Sequence, residues 1–122
     1  MKTLKAIAIL AVIFTFVSAK ISAQTSETSS SGNSVVKIKT SAECDMCKER
    51  IEKQVSLMKG VKKADLDLAT KVLTVEYNAK KTSPDKIRKV ISDIGYDADD
   101  VKANNKANKN LPACCQKKDS AQ

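Results

Sequence analysis

The chain has 122 residues, with 22 Lys and Arg against 14 Asp and Glu, a formal net charge of +8, and no histidine. Aromatics make up 3%, with no Trp, and both phenylalanines, Phe14 and Phe16, lie near the N-terminus. This excludes a large multi-domain enzyme, a nucleic-acid surface built on stacking aromatics, and any Cys–His nucleophile pair or zinc site with an imidazole ligand.

The N-terminal 23 residues have the pattern of a secretory signal. Lys2 and Lys5 precede an apolar run from Ala6 to Val17, and small residues follow at Ser18-Ala19 and Ser22-Ala23. The run is too short to cross a hydrocarbon core of about 30 Å comfortably as a helix, so cleavage is expected, with Ala23 favoured over Ala19. No stable membrane anchor would then remain, and the protein would be exported, with the periplasm of a Gram-negative bacterium as the expected site. Without its leader lysines the chain carries 19 basic and 14 acidic residues. Residues 24–34, QTSETSSSGNS, hold no apolar side chain and are expected to form a flexible linker.

Residues 35–102 alternate between two periodicities. Val36 and Ile38 flank Lys37, as in a half-buried strand. Apolar residues then recur at Cys47, Ile51, Val55 and Met58, which is a helical face, and Gly60 marks its stop. Ala64, Leu66 and Leu68 alternate again, as do Leu73, Val75 and Tyr77, giving two strands around a turn near Ala69-Thr70. Ser83-Pro84-Asp85 opens a second helix with a capping hydroxyl, a first-turn proline and an acid facing the positive helix end. Ile87, Val90, Ile91 and Ile94 form its buried stripe, Gly95 ends it, and a last strand is expected over Asp97 to Val101. The order predicts an α+β domain: a ferredoxin-like βαββαβ sandwich, its four-stranded antiparallel sheet covered by both helices on one face. Its 15 basic and 12 acidic residues are interspersed, as on an ordinary solvated surface, so no nucleic-acid partner is expected.

Chemistry falls to four cysteines, Cys44, Cys47, Cys114 and Cys115. Cys44-Asp45-Met46-Cys47 lies where the first strand gives way to the first helix. The positive end of a helix favours thiolate, and the two-residue spacing lets both sulfurs converge on one thiophilic ion such as Cu(I), Hg(II) or Zn(II). A two-sulfur site leaves positions open, which suits passing an ion on. Spacing alone favours metal but also admits thiol–disulfide exchange or an inert disulfide in an exported protein. Met46 is expected to fill a gap in the core or loop.

Residues 35–102 resemble a heavy-metal-associated domain, the module of copper chaperones, of metal-pumping P-type ATPases and of periplasmic mercury-binding proteins. The resemblance rests on Val-Lys-Ile-Lys before Cys44-Asp45-Met46-Cys47, on Ala64-Asp65-Leu66-Asp67-Leu68-Ala69-Thr70-Lys71, on Lys81-Thr82-Ser83-Pro84-Asp85-Lys86-Ile87, and on Ile94-Gly95-Tyr96-Asp97-Ala98. It implies a ferredoxin-like fold that is not an enzyme, with Cys44 and Cys47 as metal ligands. It also implies a metal-transporting or metal-accepting protein as partner to what is expected to be a monomer. The sequence departs from the family where Ala42 replaces the usual Met. Glu43 and Asp45 flank the first cysteine and are candidates to favour a divalent ion, against the reading that they are solvated loop charges. Tyr96 stands where related modules place an aromatic beside the metal loop; it either shields the site or completes the core.

The polar tail, residues 103–122, carries Leu111-Pro112-Ala113-Cys114-Cys115. Adjacent cysteines seldom bridge each other without strain. The stretch after Val101 could reach roughly 40 Å if extended, enough to return to Cys44. Three readings follow for the tail pair: it completes or caps the metal site, it forms a disulfide with the loop, or it makes an independent second site. Two other classes of function stay open for the whole chain, a thiol–disulfide oxidoreductase and a structural exported domain with paired disulfides.

Overall fold

The structure is a computed structural model in which residues 28–29 and 32–117 are described. The expected signal segment lies outside the described residues, as does most of the linker. No helix among the described residues is long and apolar enough to cross a membrane. The elements are β1 (Thr28–Ser29), β2 (Asn33–Lys39), α1 (Asp45–Ser56), β3 (Val61–Asp67), β4 (Val72–Asn78), α2 (Pro84–Asp93) and α3 (Asn105–Lys109).

Three long strands form one antiparallel sheet with β4 at its centre, and the two-residue β1 adds to the outer edge of β2. Thr28 and Ser29 therefore pair with Ser34 and Asn33 although they fall in the expected linker. Alternation along β4 sends Leu73, Val75 and Tyr77 into the core, where they meet Ile38 and Leu66. Cys47, Ile51 and Val55 of α1 and Ile87 and Ile91 of α2 close over the same face. The periodicity thus placed both helices and their buried stripes correctly. Ser83 caps α2 by accepting from the Lys86 amide, with Pro84 at the first position. Met46 departs from expectation: it is 51% exposed on the first turn of α1, because Cys47 takes the inward position there.

The expected closing strand over 97–101 is not formed. It is reduced to isolated bridges, Thr40 with Ala98 and Ala98 with Val101. Asp99 adopts a φ of 53°, which folds the segment into a turn. Asp is among the non-glycine residues that tolerate that conformation. The Asp99 carboxylate then accepts from the Lys39 amide at 2.8 Å while the Asp99 amide donates to the Lys39 carbonyl at 2.8 Å, so one residue of the turn satisfies both edge groups of Lys39. Arg88 holds the turn by donating from Nε to Asp99 and from Nη1 to Asp85. A turn that satisfies the edge of β2 through Asp99 alone has no need to extend.

Beyond this turn the chain packs back on the domain. Asn104 caps α3 by accepting from the Ala107 amide, and its own amide donates to the Ser92 carbonyl at 2.9 Å. Buried Asn108 donates from Nδ2 to the Gly95 carbonyl at 2.8 Å. Gly95 is required twice. It takes a φ of 102°, and a Cβ there would lie 2.8 Å from the Asn108 nitrogen. Leu111 is buried in the main core cluster.

Candidate metal centre

Cys44 is the N-cap of α1, extended at φ −149°, and its carbonyl accepts from the amides of Cys47 and Lys48. Its sulfur therefore sits at the positive end of the helix, while Cys47, one turn in, points into the core and is fully buried. The two sulfurs are 3.0 Å apart.

The structure brings the tail pair to the same place. Cys115 Sγ lies 2.7 Å from Cys47 Sγ and 3.6 Å from Cys44 Sγ, and Cys114 Sγ lies 3.3 Å from Cys44 Sγ. All four thiols are free. Cys44, Cys47 and Cys115 form a group whose sulfurs lie within 4.8 Å of one another. A tetrahedral ion with metal–sulfur bonds of about 2.3 Å separates its sulfurs by roughly 3.8 Å, so small outward movements would admit one. Of the three readings of the tail pair, a separate second site would hold its sulfurs away from the loop; here they adjoin it.

Burial is graded across the cluster. Cys47 and Cys115 are buried, Cys44 is half-buried, and Cys114 is exposed. The neighbouring Cys47 thiol, helped by the Cys47 amide, pulls Cys44 down to about 7 despite its own partial desolvation. Burial, together with the Cys115 and Cys44 thiols, pushes Cys47 up to about 11. Cys114 is raised chiefly by Cys44, and Cys115 chiefly by burial. Of the four thiols, Cys44 alone is drawn down, and the other three are raised.

Tyr96 is fully buried, and its hydroxyl makes no hydrogen bond of good geometry. It lies against Cys115 and Cys47, and burial holds it protonated. It is part of the core cluster that also contains Cys47 and Cys115. The carboxylates flanking Cys44 stay outside the cluster: Glu43 is exposed and pairs with Lys71, and Asp45 is exposed on the first turn of α1. Ala42, where the family carries Met, is fully buried and packs in the core.

Sequence reasoning missed what seats the tail. Lys117 Nζ pairs with Asp97 Oδ2 at 2.7 Å, the Lys117 amide donates to Asn108 Oδ1, and Gln116 Nε2 donates to the Leu111 carbonyl. Burial works against the Asp97 carboxylate, yet the Lys117 ammonium and the Ala103 amide hold it below the usual range. The available signal was Asn104, a capping residue three positions before Ala107, followed by a lone Leu in a polar stretch.

Comparison with known proteins places residues 35–97 under the family described as the heavy-metal-associated domain. A copper-exporting P-type ATPase of Staphylococcus aureus strain JH9 is 40% identical over 67 residues, covering 55% of this chain and 8% of that protein. Among solved structures, oxidized MerP from Ralstonia metallidurans CH34 superposes with a TM-score of 0.53 at 28% identity. That match covers 54% of this chain and 93% of MerP. The CopZ metallochaperone matches at 0.51 and 26% identity, over 52% of this chain and 97% of its own. Cys114 and Cys115 lie beyond the matched residues 35–97.

Proposed function

The chain belongs to the heavy-metal-associated domain family, and from that premise we propose that it captures a soft metal ion through Cys44 and Cys47 and hands it to a metal-accepting protein outside the cytoplasm. The observation that carries this reading is the convergence of those two sulfurs, 3.0 Å apart, at the start of a helix. The helix end supports thiolate at Cys44, and thiolate is a soft donor that selects soft ions. Transfer would run by ligand exchange, with sulfurs of donor and acceptor sharing the ion in passing. The chain acts here as a binding module, not as an enzyme.

Cu(I) is the first ion to test. The donor cluster is all sulfur, while Glu43 is engaged with Lys71, so the carboxylates bring no hard ligand to the site. Copper also appears in the name of the relative from Staphylococcus aureus. Hg(II) and Zn(II) are the natural competitors. Native mass spectrometry of the reduced chain against all three is expected to show one tightly held ion, Cu(I) or Hg(II) ahead of Zn(II). The Cys44→Ser/Cys47→Ser variant is expected to hold none. Uptake that survives this double replacement would refute the proposal, and turnover in an insulin-reduction assay would favour thiol–disulfide exchange instead.

A further inference from the structure

We propose that residues 104–117 form a built-in ligand arm, in which Cys115 supplies a third sulfur to the ion and Cys114 is the outer sulfur through which the ion enters and leaves. This rests on the capture reading above and adds the device that sets how firmly the ion is held. Three observations carry it.

The first is placement. Cys115 is only 2% exposed and touches both loop sulfurs, at 2.7 Å and 3.6 Å. The second is that the arm is seated by contacts that do not involve sulfur. Leu111 joins the core, Asn108 bonds the Gly95 carbonyl, Lys117 pairs with Asp97, and the missing Cβ at Gly95 leaves room for the α3 backbone. The fold therefore delivers the third thiol before any ion arrives, which lowers the ordering cost of using it. The third is Tyr96, whose buried hydroxyl makes no well-formed hydrogen bond and has the Cys115 and Cys47 thiols, weak acceptors, as its polar neighbours. A buried donor without a good acceptor is costly. A metal-bound thiolate at either position is an acceptor, so ligation by Cys115 resolves what the free thiols leave unsatisfied.

Exposure then assigns the fourth sulfur. Cys114 is exposed, and its short contact is with Cys44, the half-buried member of the trio. An ion can be met by Cys114 and Cys44 at the surface and settle between Cys44, Cys47 and Cys115. Each thiol that binds releases its proton to water, and no oxidation state changes. A two-sulfur loop would leave open positions for an acceptor's thiolate; here the arm fills one, so an acceptor must displace it. The arm makes the protein a firm holder whose release waits on arm exchange.

The test uses Cu(I) with the reduced full-length chain and counts bound sulfurs by X-ray absorption, which needs no variant. Three sulfurs are expected; two would overturn the arm. Cys115→Ser is expected to show two sulfurs and to lose more than the roughly 10–100-fold in affinity that removal of an outer-shell partner costs. It should also surrender Cu(I) faster to a competing chelator. Cys114→Ser is expected to keep three sulfurs and to exchange Cu(I) more slowly. An unchanged sulfur count and affinity in Cys115→Ser would also overturn the arm, while loss of binding in Cys44→Ser/Cys47→Ser would leave the capture reading standing. Binding retained in that double variant would remove the capture reading itself.

Discussion

Two pairs of thiols meet in one cluster, yet the fold holds them in different ways. Cys44 and Cys47 belong to the first turn of α1, and Cys47 is part of the same buried cluster as Ile38, Ile51 and Tyr96. Moving them means disturbing the sheet and helix together. Cys114 and Cys115 ride on a short segment of which Leu111 and Cys115 itself reach that cluster, and which is otherwise held by the buried Asn108 amide, the Lys117–Asp97 ion pair and a few backbone contacts. Because only a short terminal segment has to lift for the arm pair to move, that pair can open as a local unit without unfolding the sheet and helices that hold the loop pair. Separate control of the two pairs is therefore a physical option for this chain, and the experiments below probe the seam between them.

The sharpest cut is Gly95→Ala. A side chain there meets the Asn108 nitrogen at 2.8 Å and must adopt a φ of 102°. Strain of this kind costs about 1–3 kcal/mol, and the arm can relieve the steric part by lifting away. Amide hydrogen exchange is expected to show lost protection at Asn108, Leu111 and Cys115, with β4 unchanged. If the sheet amides lost protection equally, arm and loop would be one cooperative unit and the contrast would fail.

Tyr96→Phe sharpens the comparison from inside the cluster. In the metal-free protein it removes a buried hydroxyl that makes no well-formed hydrogen bond, so stability should hold or rise, by about 1 kcal/mol at most. With Cu(I) bound, the lost donor should lower affinity by roughly 10–100-fold. Opposite signs for denaturant stability and metal affinity are the expected signature. A parallel loss in both would mark Tyr96 as a packing residue only.

Much of this molecule was legible in the sequence, and the limits have physical causes. Alternation at Leu73, Val75 and Tyr77 and the helical stripe at Ile87 and Ile91 read correctly because one face of each element is buried in a single core. The capping signal at Ser83-Pro84 placed the start of α2. The closing strand misled because its alternation was weak and Asp99 could satisfy the Lys39 amide from a turn. Met46 misled because an apolar residue beside Cys47 falls on the other side of the helix. The loop cysteines stood out from spacing and position. The arm did not, since its docking depends on Asn108, Lys117 and the bare face of Gly95, polar or absent side chains that carry no periodicity.

Thiol reactivity gives a milder test of the same contrast. Cys44 is drawn down to about 7 by its neighbours, whereas the more exposed Cys114 is raised by Cys44. The thiolate is the nucleophile. Brief alkylation of the reduced, metal-free chain near pH 7.5 should therefore label Cys44 ahead of Cys114, against the order of exposure. The Cys44 rate should climb through about pH 7. Labelling that followed exposure alone would remove the distinction between a primed loop sulfur and a protonated arm sulfur.

The smallest effect belongs to the Asp97–Lys117 pair. The folded state holds the Asp97 carboxylate below its ordinary value, despite burial, through Lys117 and the Ala103 amide. A carboxylate lowered by folding adds stability that is present above the unfolded value, about 3.9, and is lost as pH falls through the folded one. The arm should therefore be fully seated at neutral pH and loosen only in acid below the ordinary carboxylate range, where the folded Asp97 takes up its proton. Lys117 is 42% exposed in this pair, so the contribution is of the order of a partly screened surface ion pair, up to about 1 kcal/mol. Asp97→Asn at pH 7 should reproduce the acid effect on Cys115 amide exchange while leaving the Cys44–Cys47 loop protected. High salt should weaken the unmutated arm and leave the variant almost unchanged. Equal salt sensitivity in both would assign the seating of the arm to Leu111 and Asn108 alone.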